Sequence, residues 1–163
     1  MTRYLALIVL PMLLFACSLL VSPPSTGIKS KNYTFTPPDS KWKEIKPDNS
    51  DQAFLNSKTK SILIANSLGK KYQSTSLENL MGNILSGIDN VKVEQNDEHK
   101  LVSRDALRSY VRGKMDGVPV YMILQVIKKN RCIYDFALIS KSKETRLQDE
   151  SYFYGLLDSL EIE

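Results

Sequence analysis

An antiparallel β-sheet covered by helices, an α+β sandwich, is predicted by three observations on the sequence. Short alternating apolar runs fill the first part of the chain, and two later runs are apolar on both faces. Two segments, near residues 76–87 and 145–160, repeat their apolar residues at helical spacing. A strand that is apolar on both faces must be covered on both sides, and the order strands, helix, three strands, helix supplies the covers.

The elements follow in order. Tyr33-Thr34-Phe35 alternates and is stopped by Pro37-Pro38, which suits a short edge strand. Trp42 to Ile45 forms a second strand. Ala53-Phe54-Leu55 and Ser61 to Leu68 continue the meander across the polar turn Asn56-Ser57-Lys58-Thr59. A helix is expected from Ser76 to Gly87, with Thr75 as N-cap and Glu78 completing a capping box. Its buried face would carry Leu77, Leu80, Met81, Ile84 and Leu85, and Gly87 would end it. Val91 to Glu94 reads as a short strand, and Gln95 to Lys100 as a polar loop.

Three strands and a helix complete the chain. Ala106 to Met115 places Ala106, Arg108, Tyr110, Arg112 and Lys114 on one face, Asp116-Gly117 signals a hairpin, and Val118 to Ile127 is apolar on both faces. Asn130-Arg131 turns the chain into Cys132 to Ser140. The last helix, from about Thr145 to Leu160, would bury Leu147, Tyr152, Phe153, Leu156, Leu157 and Leu160.

Ahead of these elements stands a different kind of segment. Thr2-Arg3 precedes a run from Tyr4 to Val21 that carries no charge. Such a run sits at the lower limit for spanning a hydrocarbon core about 30 Å thick, and it also has the form of a secretory signal. Leu14-Phe15-Ala16-Cys17 resembles the lipobox of bacterial lipoproteins, whose cysteine thiol is alkylated by a diacylglyceryl group before cleavage just ahead of it. The resemblance implies a signal peptide over 1–16, a lipidated Cys17 opening a Pro- and Ser-rich tether over 17–31, and a folded domain over 32–163. An uncleaved anchor helix and ordinary secretion are the competing readings. Ser18, rather than Asp, implies passage to the outer membrane, with the domain facing the periplasm. Two or three acyl chains hold a protein on a membrane, whereas one binds marginally.

Composition excludes several function classes. The chain of 163 residues has 22 basic and 18 acidic side chains, a net charge of +4 spread along its length. Nucleic-acid binders concentrate such charge on one face, so none is expected as a partner. Of two cysteines, lipid would consume Cys17, leaving Cys132 unable to form an internal disulfide or a thiolate metal framework. Cys132 shares a strand face with Tyr134, Phe136 and Leu138 and is expected to pack in the core.

His99, the one histidine, lies among Asn96, Asp97, Glu98 and Lys100. Consecutive residues in a polar loop do not converge on a metal or a proton, so no metal site is assigned to them. No Gly-x-Ser-x-Gly elbow is present, and no catalytic residue is assigned. Ser67-Leu68-Gly69-Lys70-Lys71 lacks the leading glycine of a phosphate loop; no cofactor is expected. The candidate contact face is Arg108, Tyr110, Arg112 and Lys114, since Arg and Tyr anchor many interfaces.

The opening Tyr33-Thr34-Phe35-Thr36-Pro37-Pro38 with Trp42 behind it, the Ala53-Phe54 strand, the Ser76-Leu77-Glu78 helix start and the long hairpin before a Phe-Leu-Leu helix resemble the PsbP/Mog1-like fold. That resemblance spans Asn32 to Glu163 and implies an α/β/α sandwich serving as an accessory or protein-binding module. The expected function is therefore that of a membrane-anchored, non-enzymatic envelope module with a protein partner. The alternative is a small-ligand sensor or hydrolase using a pocket between sheet and helices.

Overall fold

A computed structural model describes residues 32–47, 49–69 and 74–163. The apolar segment, Cys17 and the tether lie outside the described residues, as do Lys70 and Lys71 of the basic turn. Seven antiparallel strands form the main sheet: β2 (Trp42–Ile45), β3 (Gln52–Asn56), β4 (Ile62–Gly69), β5 (Asp89–Leu101), β6 (Arg104–Met115), β7 (Val118–Lys129) and β8 (Cys132–Ser140). Their spatial order is β2-β3-β4-β8-β7-β6-β5. A two-stranded ribbon pairs β1 (Tyr33–Thr34) with β9 (Glu161–Ile162). Helices α1 (Leu77–Leu85) and α2 (Lys143–Asp158) cover the main sheet.

Side-chain alternation explains why both faces need a helix. On one face Ile123, Ile127, Tyr134, Phe136 and Leu138 pack against Phe153, Leu156 and Leu157 of α2. On the other, Met122, Leu124, Val126 and Ile133 pack against Leu80 and Met81 of α1. Central strands β7 and β8 thus feed two cores, and the sandwich expected from their patterning is the observed one.

Four local expectations differ from the structure. The segment expected as a polar loop, Gln95 to Lys100, continues β5 as one strand of 13 residues. It lies at the sheet edge with most side chains in water, so burial imposes no apolar alternation. The α1 N-cap is Ser76, one residue later than expected, its hydroxyl accepting from the Asn79 N–H at 3.2 Å. Helix α1 stops at Leu85 before Ser86, short of Gly87. Finally, α2 buries the expected Phe153, Leu156 and Leu157, but in its first turns Arg146 and Asp149 are buried while Leu147 is 50% exposed.

Three two-residue turns join β5 to β8, each with both residues at positive φ: Val102-Ser103 (49° and 61°), Asp116-Gly117 (51° and 78°) and Asn130-Arg131 (53° and 65°). This backbone hand matches the twist of the flanking strands. The Asp116-Gly117 tip lies at one end of the sheet, and the other two turns at the opposite end. The chain enters at that opposite end, where the Glu163 N–H donates to the Asn32 carbonyl (3.0 Å) and Asn130 Nδ2 to the Glu163 carbonyl (2.6 Å). Strand β7, 12 residues at about 3.3 Å each, separates entry from tip by about 40 Å.

Candidate interaction surface

Pairing of β5, β6 and β7 sets out the polar face expected from the sequence. Arg108 stands between Asp97 and Gln125, Tyr110 between Gln95 and Ile123, Arg112 between Lys92 and Tyr121, and Lys114 between Asp89 and Pro119. This is the face that α2 covers, but the helix reaches only part of it. The row therefore divides in two.

Arg108 and Tyr110 are half-buried under α2. Arg108 Nε donates to Gln125 Oε1 at 3.2 Å, and its guanidinium lies 4.9 Å from the Tyr154 ring centre. The Tyr110 and Tyr154 hydroxyls are hydrogen-bonded to each other. Burial and that bond push the Tyr154 phenol up to about 12. Arg146, only 5% exposed, sits over the Tyr110 ring at 5.4 Å and pairs with Glu94 at 3.2 Å. A register shift between Val93 and Gln95 releases Glu94 from the regular pairing and allows it to meet both Arg146 and, at 3.9 Å, Arg112. These contacts fasten α2 to the sheet edge.

Arg112 and Lys114 lie beyond the helix and are exposed. With Lys92 they border a shallow concavity of about 320 Å³ floored by Gly113, Pro119 and Tyr121. Among the described residues neither Lys92 nor Lys114 has an ion-pair partner. Lys92 directly opposite Arg112 is a like-charge cross-strand pair, which the sheet tolerates at a cost.

His99 is part of β5 and half-buried. Arg108 donates to its Nε2 at 3.1 Å, and its Nδ1 lies 3.2 Å from the Asp97 carbonyl. A guanidinium has only donors, so this contact requires the lone pair of Nε2 and puts the proton on Nδ1. Neither nitrogen then has a free lone pair for proton abstraction or a metal. No group of three or more His, Cys, Asp and Glu side chains suited to a metal occurs among the described residues.

Other depressions border the described residues. One of about 700 Å³ lies by the β5–β6 turn and the start of α1, bordered by Glu78, Glu98, His99, Lys100, Arg104 and Lys128. A crevice of about 200 Å³ between α1 and the sheet contains Leu68, Leu80, Ile84, Asn66 and Asp135. Asn66 Nδ2 donates to both Asp135 oxygens there, at 3.2 and 3.3 Å. Cys132 is a free thiol, half-buried at the margin of the α2-side core.

Sequence reasoning overlooked the parts that α2 brings together. Arg146, Asp149 and Glu94 gave no apolar signal, although positions 146, 149, 153, 156, 157 and 160 are spaced as one helical face. Asp149 accepts from Asn56 Nδ2 at 3.1 Å and from the Thr59 hydroxyl, tying α2 to the β3–β4 turn.

A seven-stranded antiparallel sheet with a helix on each face defines the PsbP/Mog1-like class of α+β sandwich. No protein-family model matches the chain, and no curated protein matches it in sequence. Solved structures do resemble it. The cyanobacterial PsbP protein CyanoP from Synechocystis sp. PCC 6803 superposes with a TM-score of 0.60 at 11% identity, over 81% of this chain and 87% of its own. LpqN of Mycobacterium tuberculosis, described as involved in cell envelope biogenesis, gives 0.59 at 8% identity, over 84% and 85%. The Ran-binding protein Mog1p of Saccharomyces cerevisiae gives 0.58 at 10% identity, over 84% and 96%. At such identities the likeness is one of fold.

Proposed function

We propose that the chain is a bacterial lipoprotein whose diacylglyceryl-modified Cys17 tethers a non-enzymatic binding domain in the periplasm, at the outer membrane. The partner is an envelope protein. The observation that carries the binding role is the exposed cationic row Lys92, Arg112 and Lys114, of which Arg112 alone shares a carboxylate, that of Glu94, some 40 Å along β7 from the point where the chain enters the fold. A tether held at one end leaves the other free to meet a partner. The fold resemblance to a protein of cell envelope biogenesis and to a Ran-binding protein supports a binding role. The engagement of both His99 nitrogens by neighbouring groups supports a role without catalysis.

The 700 Å³ depression favours a second reading, a sensor of a small polar ligand. Replacing His99 by alanine separates the two, because the binding-module reading expects partner capture to persist. The anchor is tested by metabolic labelling with a palmitate analogue. The wild-type chain is expected to take up the label and Cys17→Ser to lose it; equal labelling of both contradicts the anchor.

A further inference from the structure

We infer that the outer edge of β5, along Val91 to Gln95, is a docking site for an extended partner segment that alternates acidic and apolar residues. This inference deepens the binding-module reading above and rests on it, but it does not depend on the lipid anchor. Strand β5 ends the sheet order, so among the described residues no strand pairs with its outer edge. The main-chain donors and acceptors of that edge are a template for an added strand.

The two sides of this edge differ in chemistry. Val93 is opposite Val111 of the α1-side core, and Lys92 is opposite Arg112 on the α2 side. On the α1 side, four of the five large apolar side chains exposed among the described residues gather at this end of the sheet. They are Val91 (39%), Val93 (41%), Met115 (36%) and Val118 (50%). On the α2 side lie Lys92, Arg112 and Lys114 around their concavity. An added strand points successive side chains to opposite faces, so apolar residues would cover the valines while carboxylates reach the cations.

Charge selects the occupant. Of the nearby acids, Glu94 is shared between Arg112 and Arg146, while Asp89 lies across the strand pair from Lys114 with no ion pair among the described residues. A second copy of this chain would lay the same cations against each other by two-fold symmetry. An acidic partner does not meet that obstacle. Gly113 helps keep the edge in place, because a Cβ there would lie 2.5 Å from Ile88 Cγ2 and 2.9 Å from the Asp89 carbonyl.

The test uses the full chain in detergent micelles and three synthetic heptapeptides, alternating Val with Glu, Val with Lys, or Ser with Glu. Binding is read by fluorescence anisotropy and located by amide chemical shifts. The Val/Glu peptide is expected to bind and shift the amides of Val91 to Gln95, with the other two at least about tenfold weaker. The double variant Lys92→Glu with Lys114→Glu should invert the preference toward the Val/Lys peptide. Lys92→Gln with Lys114→Gln should weaken Val/Glu binding without inversion. Absence of Val/Glu binding, binding indifferent to both double variants, shifts confined to other elements, or self-association through β5 in place of peptide binding would each overturn the proposal. An envelope protein crosslinked through another face would then still leave the broader binding-module reading standing.

Discussion

Individual polar side chains decide how the helices and ribbon are held to the sheet. Asp149 is 1% exposed and receives hydrogen bonds from Asn56 and Thr59. Replacing it with alanine leaves both donors facing a void, and a loss of about 2–3 kcal/mol in urea unfolding is expected. Tyr33 donates to Asp51 Oδ2 at 2.9 Å, and burial together with that carboxylate holds its phenol above the ordinary tyrosine range. Tyr154 is raised as well, to about 12. A phenol raised in the folded state keeps its proton while the unfolded chain loses its own from about pH 10. Its stabilising contribution is therefore complete below about pH 10 and declines as pH rises toward the folded value. Unfolding measured between about pH 8 and 11 should show stability falling at the alkaline end, with a shallower fall in Tyr33→Phe.

At the scale of elements, the edge strand depends on how closely β5 can cross β6. Gly113→Ala should push the start of β5 outward, costing about 1–3 kcal/mol, and hydrogen exchange should quicken in Asp89 to Val93 before it does in β7. The same strand marks the limit of what the sequence made legible. Strands β7 and β8 could be read because burial on both faces forces apolar runs, and Asp116-Gly117 announced its hairpin chemically. Strand β5 could be read only over Val91 to Glu94, because neither of its faces is fully covered and its turn, Val102-Ser103, lacks the Gly or Asn that normally signals left-handed backbone. Helix α2 was placed correctly and buries Phe153, Leu156 and Leu157 as expected, but its first turns were read from Leu147, whereas burial there follows Arg146 and Asp149 through their partners on β5, β3 and the β3–β4 turn. Long-range pairing of that kind leaves no trace in local periodicity. The candidate face was half legible for the same reason: its residues were predicted on one strand side, but the boundary of the α2 cover, which separates Arg108 and Tyr110 from Arg112 and Lys114, depends on tertiary packing.

The whole molecule has two ends with different chemistry. At the entry end, the described chain starts at Asn32 and leads into β1, which pairs with β9 beside the β7–β8 turn. At the far end stand the Asp116-Gly117 tip, the exposed valines and the cationic row. In the proposed arrangement the lipid fixes the first end at the membrane, while the second reaches toward an acidic segment of an envelope protein. The most direct measurement is photocrosslinking in intact cells from a reactive residue replacing Val93, with the same residue replacing Leu147 on the exposed side of α2 as control. A discrete adduct with one envelope protein is expected from position 93 only, lost when Lys92 and Lys114 are both changed to glutamate and reduced when Cys17 is changed to serine. Equal adducts from both positions, or an adduct at 93 that survives the charge reversal unchanged, would contradict the account.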